Sequence, residues 1–213
     1  MVNAFSVAVV LVMTAAYLIY EHLKFQKPRR RARELFFKAL STAAAAGLCL
    51  YGCVARQAAA PGWLLFVGLC VCTAADVVLD LRFVYGMGLF ALGHGCYMAA
   101  YVLAAPPDGR SLIVFAVLFA ACLSQYGRLK NKYGAAHNVK PRYCLYYATV
   151  LCVMLALAVT QKGMLLCGAA LFVLSDFLLS IRYMRAITGK PYDYICLGTY
   201  YLAQLLIGAS VLV

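Results

Sequence analysis

The chain has 213 residues, of which 66% are hydrophobic and only 12% charged, with a mean hydropathy of +0.86; this excludes a water-soluble domain with an ordinary polar surface. Nineteen Lys and Arg against seven Asp and Glu leave a net charge of +12, but in so apolar a chain the basic residues read as membrane-topology signals, and no nucleic-acid partner is expected. Lipid is the expected solvent, and membrane lipids are the expected partners.

The apolar stretches are continuous over about 17–22 residues and do not alternate, which selects helices over a barrel for satisfying backbone hydrogen bonds in a bilayer. In chain order the predicted spans are 3–20, 35–55, 62–81, 84–104, 111–127, 143–160, 163–182 and 193–213. The expected fold is all-α, a single integral membrane bundle of eight transmembrane helices over residues 1–213.

The first span has no basic residue before it and no small-residue cleavage site before Glu21-His22, so it is expected to stay as a permanent helix and not act as a signal peptide. The loop after it carries the run Lys27-Pro28-Arg29-Arg30-Arg31-Ala32-Arg33, a topology determinant by the positive-inside rule, with contact to anionic lipid as the alternative. Sixteen of the nineteen basic residues fall in or beside the odd-numbered loops, and only Arg56, Arg110 and Lys162 in the even-numbered ones. The odd loops are therefore expected in the cytoplasm and both termini on the opposite side.

Ten cysteines, Cys49, Cys53, Cys70, Cys72, Cys96, Cys122, Cys144, Cys152, Cys167 and Cys196, all lie in or at the edges of apolar spans. They read as small packing residues, not as a disulfide framework.

The third span repeats in the seventh. Gly68, Asp76, Leu79 and Arg82 coincide with Gly168, Asp176, Leu179 and Arg182 at a constant offset, and Leu92-Gly93-His94 of the fourth span faces Leu197-Gly198-Thr199 of the eighth. The pattern suggests two four-helix halves running in the same direction, related by an axis along the membrane normal. Asp76 and Asp176 each precede their arginine by six residues, which places them at one depth, about 9 Å inside the cytoplasmic boundary.

Carboxylates within hydrocarbon are costly and usually face a bundle's interior. Asp76 and Asp80 are one turn apart, and Asp176 has Ser180 at the matching position, so all four are expected to line one polar cleft. If the two halves bring Asp76 near Asp176, repulsion and desolvation make an acid and a base of the pair; the alternative is that they hold helices together through Arg82, Arg182 or a tyrosine hydroxyl. His94, with Tyr97 on the same face, is either a hydrogen-bonded packing residue or a catalyst. Most of the sixteen tyrosines fall near span ends, whereas Tyr200, Tyr201 and Gln204 lie deeper and invite a site reading. His-x-x-x-His, Gly-x-Ser-x-Gly and a Gly-rich phosphate loop are all lacking, which argues against metal, serine-hydrolase and nucleotide chemistry.

These motifs resemble the YhhN-like lysoplasmalogenase family of eight-pass membrane proteins from about Lys38 to the C-terminus. Ala75-Asp76-Val77-Val78-Leu79 is similar to the family's Gly-Asp-x-x-Leu and is followed by Phe83, Gly86-Met87, Phe90 and His94-x-x-Tyr97. Pro141, Tyr147 and Met154 resemble its sixth helix, and Phe172 to Asp176 and Thr199 to Ser210 its two C-terminal signatures. Ala75 departs from the usual glycine.

The resemblance implies hydrolysis of the vinyl ether bond of a lysophospholipid substrate, lysoplasmenyl-ethanolamine or -choline, without metal or organic cofactor, in the endoplasmic reticulum membrane for a eukaryotic member. It implies Asp76 and Asp176 as the catalytic pair in unassigned order, with Asp80, His94, Tyr97, Tyr147, Tyr200 and Gln204 supporting them and Lys38, Arg82 and Arg182 meeting the phosphodiester. A proton-coupled transporter and a lipid-binding scaffold remain as alternatives, and oligomeric state and headgroup preference are not readable.

Overall fold

The computed structural model describes residues 4–26, 30–133, 141–161, 163–185 and 190–213, and the side chains of these apart from 128–133, 141, 182–185 and 190. Eight α-helices follow one another with no strand among the described residues: α1 (Ala4–Lys24), α2 (Arg31–Ala55), α3 (Ala60–Leu81), α4 (Phe83–Ala104), α5 (Gly109–Tyr133), α6 (Pro141–Ala158), α7 (Gly163–Arg185) and α8 (Lys190–Ala209), which ends in a short 3-10 turn at Ser210–Leu212. Seven are long and apolar enough to cross a membrane. The apolar part of α6, Arg142–Ala158, is shorter at 17 residues, about 26 Å of rise and near the lower limit for a span.

Each helix matches a predicted span; several run longer than predicted, while α6 ends two residues before its predicted end. α2 begins four residues before the apolar run, and α5 and α7 run past theirs, because backbone hydrogen bonding carries a helix beyond the apolar stretch that hydropathy marks. Local chemistry sets the joints. Asp108 opens α5 by accepting the backbone N–H groups of Arg110 (2.9 Å) and Ser111 (3.2 Å), and a side-chain hydrogen bond from Arg110 helps hold its carboxyl below the ordinary range. Between α3 and α4 a single residue, Arg82, is extended at φ −145° and ψ 91°. The resulting hairpin is so tight that a Cβ on Gly86 would lie 2.3 Å from the Cα of Leu79.

Neighbouring helices pack as two matching sets. α1 meets α2, α2 meets α3 and α3 meets α4; in the second half α5 meets α6, α6 meets α7 and α7 meets α8. The halves join through α4 with α6 and α8 with α2, the pairs that a two-fold relation exchanges. α2, α3, α4, α6, α7 and α8 thus form a ring, with α5 packed outside it against α6.

The repeated glycines do the same work in each half. A Cβ on Gly68 would strike the Tyr97 ring of α4 at 2.4 Å, and one on Gly168 would strike Ile207 of α8 at 2.9 Å. The core inside the ring contains Leu69, Cys72, Tyr97, Tyr101, Met154, Phe172, Ala203 and Ile207, each fully buried. All ten cysteines are free thiols, as expected for packing residues.

Candidate active site

Asp76 lies on the inner face of α3 and is 2% exposed. Its Oδ2 accepts two hydroxyls, Thr42 of α2 at 2.5 Å and Tyr200 of α8 at 2.9 Å. Tyr200 in turn accepts from Nε2 of Gln204 one turn along α8 (3.0 Å), and Tyr97 of α4 donates to Oε1 of the same amide (2.9 Å). Four helices therefore supply one buried chain of hydrogen bonds, and each of these side chains lies on the core face of an otherwise apolar helix, where an unpaired polar group is penalised.

Asp176 holds the matching place on α7. Tyr147 of α6 donates to its Oδ2 at 2.6 Å, and Nε2 of the fully buried His94 lies 3.3 Å from the same tyrosine oxygen. Because Tyr147 gives its one proton to the carboxyl, its oxygen accepts, which makes Nε2 of His94 the protonated nitrogen and Nδ1 the bare one.

The two networks adjoin across aromatic rings. Phe172, one turn before Asp176, packs edge-on against His94 at 4.4 Å and against Tyr200 at 5.3 Å between ring centroids. Phe90 touches Phe172 and Tyr200, and His94 lies 6.0 Å from the Tyr97 ring. Each carboxyl is thus anchored by a tyrosine, and the rings of Phe90 and Phe172 connect Tyr200 of one network with His94 of the other.

Asp76, His94, Tyr97, Tyr147, Asp176, Tyr200 and Gln204 are brought together in these two adjoining networks. The aspartates take tyrosine hydroxyls, the helix-joining partner anticipated as the alternative, while Arg82 is exposed at the α3–α4 joint. The Arg182 side chain lies outside the described residues, as do residues 27–29 of the basic run.

The expected four-residue cleft is not formed. Asp80, at the end of α3, is 37% exposed and pairs with Nζ of Lys38 at 3.1 Å, and Ser180 turns back to its own helix to donate to the Phe177 carbonyl. One helical turn of rise carries Asp80 out to the boundary, and a serine at the helix end satisfies its hydroxyl locally. Tyr201 donates to the Lys38 carbonyl at 3.4 Å, bracing α8 on α2 and not joining the carboxyl networks.

Sequence reasoning missed Thr42. Its signal was its place one turn after Lys38 in an alanine-rich helix, a polar pair on one face. It also passed over a polar group at the mouth of α1, α2 and α8, where Glu21 and Glu34 are buried and Lys24 bridges Asp193 at 2.8 Å.

The model of the YhhN family matches residues 33–211. The chain belongs to the YhhN family. No curated protein and no solved structure matches it. The YhhN match spans α2 to the 3-10 turn after α8 and so includes every residue of both carboxyl networks, whereas α1 falls outside it.

Proposed function

We propose that this YhhN-family protein is a lysoplasmalogenase, a hydrolase that cleaves the vinyl ether bond of lysoplasmenyl-ethanolamine or -choline and releases a fatty aldehyde and the glycerophospho-alcohol. The observation that carries the reading is the pair of membrane-embedded aspartates, one from each half, held by Tyr200 and Tyr147 in adjoining networks. Membership of the YhhN family is consistent with a hydrolase.

A vinyl ether breaks when its β-carbon is protonated. The C=C electron pair takes the proton, the ether oxygen shares the resulting cation, water adds to the oxygen-bearing carbon, and the hemiacetal collapses to aldehyde and alcohol. One proton donor and one carboxylate suffice, as with the paired acids of glycosidases.

The hydrogen bonds support an order for the pair. Two hydroxyl donors converge on Oδ2 of Asp76, a setting that favours the ionised form; Asp176 has one donor, Tyr147. Asp176 is accordingly the acid, its Oδ2 held by Tyr147 and its Oδ1 free to deliver the proton. Asp76 is the carboxylate that faces the cation and takes a proton from the attacking water on its own Oδ1. Tyr200, Gln204, Thr42, Tyr147 and His94 hold these two in place.

The test is aldehyde release from lysoplasmenylethanolamine by the purified protein in detergent. Wild type releases aldehyde, and Asp76→Asn or Asp176→Asn each lowers turnover by at least about a thousandfold while the melting temperature stays close to wild type. Full activity in either variant rejects the pair. Substrate flux into proteoliposomes without aldehyde replaces the reading with a transporter.

A further inference from the structure

The contacts between α2 and α3 form two consecutive rungs. Lys38 pairs with Asp80 at 3.1 Å, and one turn deeper on both helices Thr42 donates to Asp76 at 2.5 Å. The outer rung is lopsided: the Lys38 side chain is 5% exposed and the Asp80 side chain 37%. A cation is sunk in the bundle, and the carboxylate over it stands at the interface.

An ammonium group removed from water needs an anion within contact to remain charged. Asp80 fills that need at the boundary level, where a phospholipid's phosphodiester resides. One helical turn, about 5.4 Å, is also comparable with the reach of a three-carbon glycerol from its ether oxygen to its phosphate. A lysolipid whose phosphate took the place of the Asp80 carboxylate on Lys38 would therefore present its sn-1 ether at the level of Asp76.

We infer that Asp80 is a stand-in anion: it occupies Lys38 in the empty site and is displaced by the phosphodiester of an incoming lysolipid. The inference rests on the lysolipid reading above and deepens it. Exchange of one anion for another leaves Lys38 paired throughout, so the desolvation of its charge is already met before the ligand arrives. Asp80 then competes with the ligand, and its removal strengthens binding. Arg31, whose guanidinium donates to the Asp80 carbonyl at 2.5 Å, fixes the end of α3 and adds a second cation at the same level.

The experiment is equilibrium binding, in detergent, of a 1-O-alkyl lysophosphoethanolamine, whose saturated ether cannot be cleaved by protonation. The phosphate-free 1-O-alkylglycerol serves as the neutral probe. Asp80→Asn, and Asp80→Ser, which introduces the residue found at the matching place in the other half, each bind the phospholipid about tenfold more tightly. Lys38→Met binds it about tenfold more weakly, and the alkylglycerol is unaffected by all three.

The inference is overturned if the Asp80 variants bind the phospholipid no better than wild type, if they tighten on the alkylglycerol equally, or if wild type does not bind the phospholipid. Melting temperatures accompany each measurement, and the two Asp80 variants decide the matter should Lys38→Met fail to fold. Failure of the hydrolase reading is separate: no aldehyde from the alkenyl lipid, with the binding pattern intact, removes the reaction and leaves the site.

Discussion

Tyr200 donates its proton to Asp76 and accepts the amide of Gln204, so one hydroxyl links the α3 carboxyl to α8 and, through Gln204, to Tyr97 on α4. Tyr200→Phe removes that hydroxyl at nearly constant volume. It leaves the Gln204 amide short of an acceptor and Asp76 with one donor, a loss of about 1–3 kcal/mol. Turnover is expected to fall about ten- to hundredfold, measured as kcat on lysoplasmenylethanolamine, with the fold retained. Thr42→Val is expected to act in the same direction and Thr42→Ser to restore the rate, because only the serine keeps the donor on Asp76; equal rates in all three would remove Thr42 from the site. At this scale much of the site was legible: Asp76, Asp176, His94, Tyr97, Tyr200 and Gln204 stand out as polar groups within apolar runs. Thr42 and the Lys38–Asp80 pair did not, because a threonine and a boundary lysine are unremarkable until the facing helix is known.

Among the elements, α3 and α4 approach closely, and the approach depends on missing side chains. Gly86 leaves no room for a methyl group, since the atom 2.3 Å away is backbone Leu79 Cα and cannot swing aside. Gly86→Ala is therefore expected to destabilise the bundle by about 1–3 kcal/mol, read as a lowered melting temperature; an unchanged value would mean that the hairpin opens without cost. Gly68→Ala meets a different neighbour, the Tyr97 ring, whose hydroxyl serves Gln204. Its expected signature is a loss of turnover larger than its loss of stability, whereas Gly168→Ala, opposite Ile207, is expected to affect stability first. The number and order of helices were legible from hydropathy, and the glycine match hinted at two equivalent interfaces. Helix ends were less so: hydropathy reports where lipid begins, while the helix persists into α2's basic first turn until capping or chain reversal stops it.

For the whole molecule, the ring of six helices and the exchange of α4·α6 for α8·α2 fit two halves inserted in the same sense. With sixteen basic residues in or beside the odd loops and three in the even ones, we propose from the positive-inside rule that the carboxyl networks face the cytoplasmic leaflet and both termini lie across the membrane. An epitope tag at the C-terminus is expected to be protected from antibody when only the plasma membrane of expressing cells is permeabilised, and to become accessible when the internal membranes are opened as well. Accessibility in the first condition would reverse the orientation and place the site in the other leaflet.

By itself the sequence determined the apolar solvent, the number and order of helices and their likeness in pairs, because hydropathy and charge are properties of position along a chain. Only the tertiary structure decided that Thr42 meets Asp76, that Asp80 turns outward to Lys38 and that Phe172 touches both His94 and Tyr200. Those outcomes depend on how far each helix is rotated and how closely it approaches its neighbour, which contacts such as Gly68 on Tyr97 and Gly86 on Leu79 set between residues of different helices.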